Sequence, residues 1–113
     1  MGDEDIVNLI MKEIQDLKVD AKPGFQKVVR TWGADMRKVF QIAVHLEETA
    51  GTNISEEEII ENAKKEGIDE EDAQSIINEL VNDGLFYRPS YTEGIIRFHT
   101  RQDFNPWSSE FPA

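Results

Sequence analysis

Apolar residues Ile6, Leu9, Ile10, Ile14 and Leu17 recur at helical spacing between Asp3 and Lys18, with Asp3, Glu4 and Asp5 in the first turn, where carboxylates favour the helix dipole. This predicts an amphipathic first helix. The pattern breaks at Lys22-Pro23-Gly24, and the apolar-basic run from Phe25 to Trp32 fits either a helical turn or two or an extended segment. Met36, Val39, Phe40, Ala43 and Leu46 or Val44 then share one face of a second clear helix over 34–49, which ends at Gly51 and should be the central core helix. Ser55-Glu56-Glu57-Glu58 reads as a capping box, in which the hydroxyl accepts from the amide three residues on while Glu58 reaches back. The helix it starts runs to Glu66 and stops at Gly67. Asp69 caps a fourth helix, whose stripe Ala73, Ile76, Ile77, Leu80 and Val81 ends at Asn82-Asp83-Gly84. Beyond Gly84 the segments Leu85 to Arg88 and Ile95 to Thr100 are β-prone and flank a turn-rich stretch from Pro89 to Gly94, which predicts a β-hairpin. From Arg101 to Ala113 no period is present, and a disordered or surface-laid tail is expected. There is no internal repeat.

A core helix, two short helices joined around Gly67-Ile68 and a two-stranded hairpin follow one another in the order of a winged helix-turn-helix. The expected fold is therefore mostly α with a small β-hairpin, a winged helix-turn-helix with an additional N-terminal helix. Three segments are expected: 1–33, the N-terminal helix and a basic connector; 34–100, the winged-helix domain; and 101–113, a flexible aromatic tail. Two features of the central segment, a helix pair with Gly-Ile at its turn and a Gly-apolar-apolar-Tyr-x-Pro entry to the wing, are shared by several winged-helix families. Ile54-Ser55-Glu56-Glu57-Glu58-Ile59-Ile60 leads to Ala63-Lys64-Lys65-Glu66-Gly67-Ile68, and an acidic helix then ends in Gly84-Leu85-Phe86-Tyr87-Arg88-Pro89. Over a little more than half the chain this resembles the C-terminal winged-helix domain of archaeal minichromosome maintenance replicative helicases. It is similar, less closely, to the winged-helix domain of the replication protein A middle subunit. The resemblance implies a regulatory module of DNA replication that sits beside a motor and docks protein partners. The stretch Tyr91 to Thr100 is longer than the clipped wing of those helicases, and the first 33 residues match no helicase element. No Gly-x-x-x-x-Gly-Lys-Ser/Thr occurs, so a helicase's nucleotide site would lie outside these residues.

The 113 residues suffice for one small core. Twelve basic against 23 acidic residues give a net charge of −11, which disfavours generic coating of duplex DNA. With no cysteine, disulfides, thiolate metal sites and cysteine nucleophiles are excluded, and a cytoplasmic location is the default expectation. No apolar run spans a bilayer, and the acidic start lacks the positive flank of a signal peptide.

Charge distribution decides among nucleic-acid readings. The helix in the DNA-reading position, Asp69 to Asp83, holds six acids and no base, so base readout through it is improbable even though Gln74, Ser75 and Asn78 are polar enough to touch bases. Between Lys22 and Lys38 five bases stand against Asp35, a local +4. The wing carries Arg88, Arg97 and Arg101 against Glu93. Lys27, Arg30, Arg37, Lys38, Arg88, Arg97 and Arg101 are therefore the candidate contacts if nucleic acid is touched, backbone-directed and salt-sensitive; the plainer reading is that they solubilise. Trp32, Tyr87, Tyr91 and Phe98 could stack on unpaired bases or pack the hairpin onto helices. Glu70, Glu71, Gln74 and Asn78, with the tail aromatics Phe104, Trp107 and Phe111, are candidates for docking a protein partner; Trp107 is equally suited to folding back on its own domain. His45 and His99 lie 54 positions apart with no catalytic or ligand spacing, and the acidic cluster lacks the alternating ligands and central glycine of a calcium loop. No catalysis, metal, cofactor, membrane or small-molecule substrate is expected. The reading is a non-catalytic interaction module whose partner is a protein of the replication machinery, with weak or no duplex binding. The alternatives are a winged-helix transcription regulator and the partner-docking domain of a single-stranded DNA-binding protein.

Overall fold

A computed structural model describes residues 3–90 and 93–100. Within them the chain is mostly helical with one small antiparallel sheet, as the periodicity predicts. The elements are α1 (Asp3–Asp16), α2 (Phe25–Thr31), α3 (Ala34–Ala50), β1 (Ile54–Ser55), α4 (Glu56–Lys65), α5 (Glu70–Asn82), β2 (Phe86–Tyr87) and β3 (Ile95–Phe98).

The buried face of α1 is Val7, Ile10 and Ile14, while Leu9 is 44 % exposed. Sequence spacing alone places Leu9 in the stripe, and the structure corrects this. At about 100° per residue Leu9 points roughly 130° from the mean direction of the buried three, whereas Ile6, Met11 and Leu17 flank them and are partly covered. The run after Lys22-Pro23-Gly24 resolves as a helix: Phe25 and Val29, four apart on α2, are both buried. On α3 the buried residues are Met36, Val39, Phe40, Ala43 and Val44, with Leu46 only partly covered.

Three helices end in the same way. After α4 the Ile68 amide reaches back to the Ala63 carbonyl and the Gly67 amide to Lys64, with Gly67 at φ 87. After α5 the Leu85 amide bonds Leu80 and Gly84 bonds Val81, with Gly84 at φ 89 and Leu85 buried beneath the turn. These are Schellman ends, which need a left-handed residue and so favour glycine. After α1 the pattern repeats, Val19 to Ile14 and Lys18 to Gln15, but Lys18 holds the left-handed position at φ 59. The helix starts differ from expectation in one detail. Ser55 Oγ accepts from the Glu58 amide at 3.2 Å, the hydroxyl half of the predicted capping box, whereas Asp69 stands at the N-cap of α5 without a side-chain cap bond.

The predicted hairpin is present but gains a third strand. Sheet order is β1-β3-β2, with Ile54 opposite Ile96 and Phe86 opposite Phe98. Past β3, Thr100 bridges Val19 in antiparallel sense, the Asp20 amide donates to His99 O at 2.8 Å, and the His99 amide donates to Leu85 O at 2.8 Å. The chain leaving α1 is thus stitched to the end of the central strand.

One apolar core runs through all of these elements, from Val7 on α1 to Phe98 on β3. Its spine is aromatic. Phe25 meets Trp32 edge-on at 6.0 Å, Trp32 lies against Phe40 at 5.6 Å, and Phe40 faces Phe86 at 6.4 Å. Phe98 completes it edge-on to Phe86 at 4.9 Å. Trp32 and Phe98 are 5 % and 4 % exposed, which removes them as base-stacking candidates. The same contacts bind the described residues before and after position 33 into a single core.

Candidate functional site

The polar side chains of α4, α5 and the chain leaving β2 converge on Glu56. The Glu56 amide, first of α4, donates to Gly94 O at 2.9 Å, so the hairpin is pinned to the helix start. Its carboxylate accepts from Arg88 through Nε at 3.0 Å and Nη2 at 3.3 Å, a two-point fork. Gln74 Nε2 donates to the same carboxylate at 3.2 Å. Asn78 Oδ1 closes the ring, accepting from Arg88 Nη2 at 2.6 Å and from Gln74 Nε2 at 3.4 Å. Burial by itself raises the Glu56 carboxyl, but hydrogen bonds from Arg88 and Gln74 and the Arg88 charge outweigh it and hold the group below the ordinary carboxylate range. The Arg88 guanidinium is raised in turn, chiefly by its hydrogen bond to Glu56.

This ring absorbs three of the residues picked out by sequence: Gln74, Asn78 and Arg88. The fourth member, Glu56, carries no such signal, because its partner Arg88 is 32 positions away. The consequence is chemical. Gln74 and Asn78 are the side chains of α5 suited to reading a base edge, and the amide nitrogen of one and the amide oxygen of the other are already engaged.

Around the ring the surface is acidic. Glu70, Glu71 and Asp72 form the exposed first turn of α5, where the helix dipole favours them, and Glu57 and Glu58 do the same on α4. The remaining candidate cations are dispersed. Lys27 and Arg30 lie on α2, with Arg30 bonded to Glu4 of α1; Arg37 and Lys38 lie on α3, with Lys38 at 3.8 Å from Glu66. Arg97 of β3 donates to the Tyr87 hydroxyl at 3.1 Å and to Thr52 Oγ1 at 3.4 Å. Arg30 and Lys38 are thus internally compensated within the segment that reads as +4. Arg101, Tyr91, Phe104, Trp107 and Phe111 lie outside the described residues.

His45 is exposed on α3, and His99 is half-buried with its ring 5.9 Å from that of Tyr87. Among the described residues no cluster of His, Asp and Glu has the arrangement of a metal site, and no helix is long and apolar enough to cross a membrane. A separate carboxylate stands out at the α1–α3 contact. Glu13 is pushed above the ordinary range, first by burial and then by repulsion from Glu48 and Asp16, against a hydrogen bond from Gln41 that lowers it.

Comparison with protein-family models, with curated proteins and with solved structures returned no match.

Proposed function

We propose that this chain is a winged-helix module without a catalytic role, which docks a basic protein partner on the acidic face of α5 and works in DNA replication. The winged-helix assignment is supported by the order α3-β1-α4-α5-β2-β3 together with a sheet ordered β1-β3-β2. The replication setting is supported by the sequence resemblance described above.

One observation carries the docking reading. In the position where a winged helix presents its DNA-reading helix, α5 offers Glu70, Glu71, Asp72 and Glu79 and no base, while its Gln74 and Asn78 are held by Glu56 and Arg88. Approach to a phosphate backbone would set these carboxylates against like charge and would need the ring opened. Approach of a basic surface needs neither, and charge complementarity of this kind speeds encounter and selects partners.

The test is a titration of the labelled chain with duplex and single-stranded DNA at about 50 and about 200 mM salt, alongside a lysine-rich helical peptide. The expected result is peptide binding that is lost on reversing Glu70 and Glu71 to lysine, and DNA binding that is absent or gone at the higher salt. DNA binding that persists at about 200 mM and falls with Gln74→Ala or Asn78→Ala would overturn the proposal in favour of a DNA reader.

A further inference from the structure

A groove of about 470 Å³ lies between α1 and the segment 19–26, and shares no described residue with the Glu56 ring. Met11, Ile14, Ala21 and Phe25 give it an apolar lining, and Lys12 and Lys22 stand over it. Among the described residues that line it none is a carboxylate, in a chain whose net charge is −11. A groove that is apolar within and basic at the rim suits a segment carrying aromatic anchors and acidic residues.

The sequence after Thr100 is such a segment, and Thr100 itself pairs at the groove's edge. Val19 is one of the lining residues, and it is the residue that Thr100 bridges. Because that pairing is antiparallel, the chain at Thr100 heads towards Lys18 and the C-terminal turn of α1. The 13 residues that follow include Asp103, Phe104, Trp107, Glu110 and Phe111. At about 3.3 Å per residue Phe104 reaches roughly 13 Å from Thr100 and Trp107 roughly 23 Å. Along α1, rising about 1.5 Å per residue, Met11 is only about 9 Å back from Leu17. Both aromatics can therefore arrive over Met11.

We propose that residues 101–113 seat in this groove in the same molecule, with Phe104 and Trp107 covering Met11, Ala21 and Phe25, and with Asp103 and Glu110 facing Lys12 and Lys22. The contact is independent of the α5 docking reading. It assigns the aromatic segment to its own domain, as an added layer over α1, and leaves the acidic face clear for a partner.

The test compares amide NMR spectra of the full chain with those of a full-length variant carrying Phe104→Ser and Trp107→Ser, which leaves every core residue among those described unchanged. The expected shift changes fall on Met11, Lys12, Gln15 and Ala21 to Gln26, and are the same at chain concentrations tenfold apart. A synthetic peptide of residues 101–113 added to that variant should restore the parent shifts at the groove. The same peptide with both serines should bind at least tenfold more weakly, as should the parent peptide to a variant that also carries the exposed substitution Lys12→Glu. Changes confined to Val19, His99 and Thr100, changes on another surface, or a peptide that does not bind would overturn the proposal. Changes that grow with chain concentration would equally overturn it, since the occupant would then be a second copy.

Discussion

Glu56 and Glu13 are both partly covered carboxylates, and their surroundings push them in opposite directions. Glu56 is depressed, so the stability it contributes is present above the unfolded value near 4.5 and is lost as pH falls through its folded value. In a double-mutant cycle of Glu56→Gln and Arg88→Ala the coupling should be about 1 kcal/mol. A larger value is not expected, because the Arg88 side chain is 41 % exposed and water screens the pair. Urea unfolding at pH 7 and at a series of values descending from 4.5 measures it, and a coupling that does not shrink even where the Glu56 carboxyl is seen by NMR to be protonated would mean the ion pair is not its source. Glu13 is raised, so the sign reverses. The folded state holds the proton more tightly, and stability falls as pH rises through the window above 4.5. Glu13→Gln removes the charge and its repulsion by Glu48 and Asp16 while leaving a group that can bond Gln41. It should raise stability at pH 7 by a few tenths to about 1 kcal/mol, with the gain vanishing below pH 4. A loss at pH 7 would show that the charged carboxylate is wanted at the α1–α3 contact.

At the level of elements, what the sequence makes legible is whatever is written within one turn or one period. The stops at Gly67 and Gly84 are visible because a left-handed position is filled by the residue that takes it without strain. The stop at Lys18 is invisible for the opposite reason: a lysine at φ 59 gives no sign of its conformation, and the helix reads on to the end of its apolar stripe. Placing an L-residue there costs about 1 kcal/mol or more, so Lys18→Gly should stabilise the chain by about 0.5–1 kcal/mol once the greater freedom of glycine in the unfolded state is set against the relief. A thermal melt of that variant with a lower midpoint would show that Lys18 contributes contacts outweighing its strain. β1 escapes for a different reason. Two residues carry no alternation, and Ile54-Ser55 is a strand only because Ile96 and Ile95, some 40 positions later, pair with it. α2 is ambiguous because Val28 and Val29 are β-branched; burying Phe25 and Val29 on one side settles it as helix. The Glu56 ring shares the limit of β1. Gln74 and Asn78 are readable as polar positions on α5, but what holds them comes from α4 and from beyond β2.

On the scale of the whole molecule, the joint between the first 33 residues and the rest is Trp32. It stands between Phe25 of α2 and Phe40 of α3, and Phe40 in turn carries the contacts to both hairpin strands. With one core spanning both halves, far-UV and near-UV circular dichroism should follow a single unfolding transition. Two substitutions at Trp32 then separate volume from polarity. Trp32→Ala leaves a cavity at the joint and should cost about 3–5 kcal/mol, a large part of the stability of a domain this size. Trp32→Phe loses less volume and also removes a liability, because the indole Nε1 is buried with no hydrogen-bond partner among the described residues. An unpaired buried donor costs about 1–3 kcal/mol, which offsets much of the packing lost with the smaller ring. The phenylalanine variant should therefore lie within about 1 kcal/mol of the parent and keep the single transition, while the alanine variant loses near-UV signal at lower denaturant than far-UV signal. If both variants lost equal stability, the indole nitrogen would have to be satisfied in solution. If the alanine variant kept coincident transitions at little cost, the two halves would not be joined through this side chain.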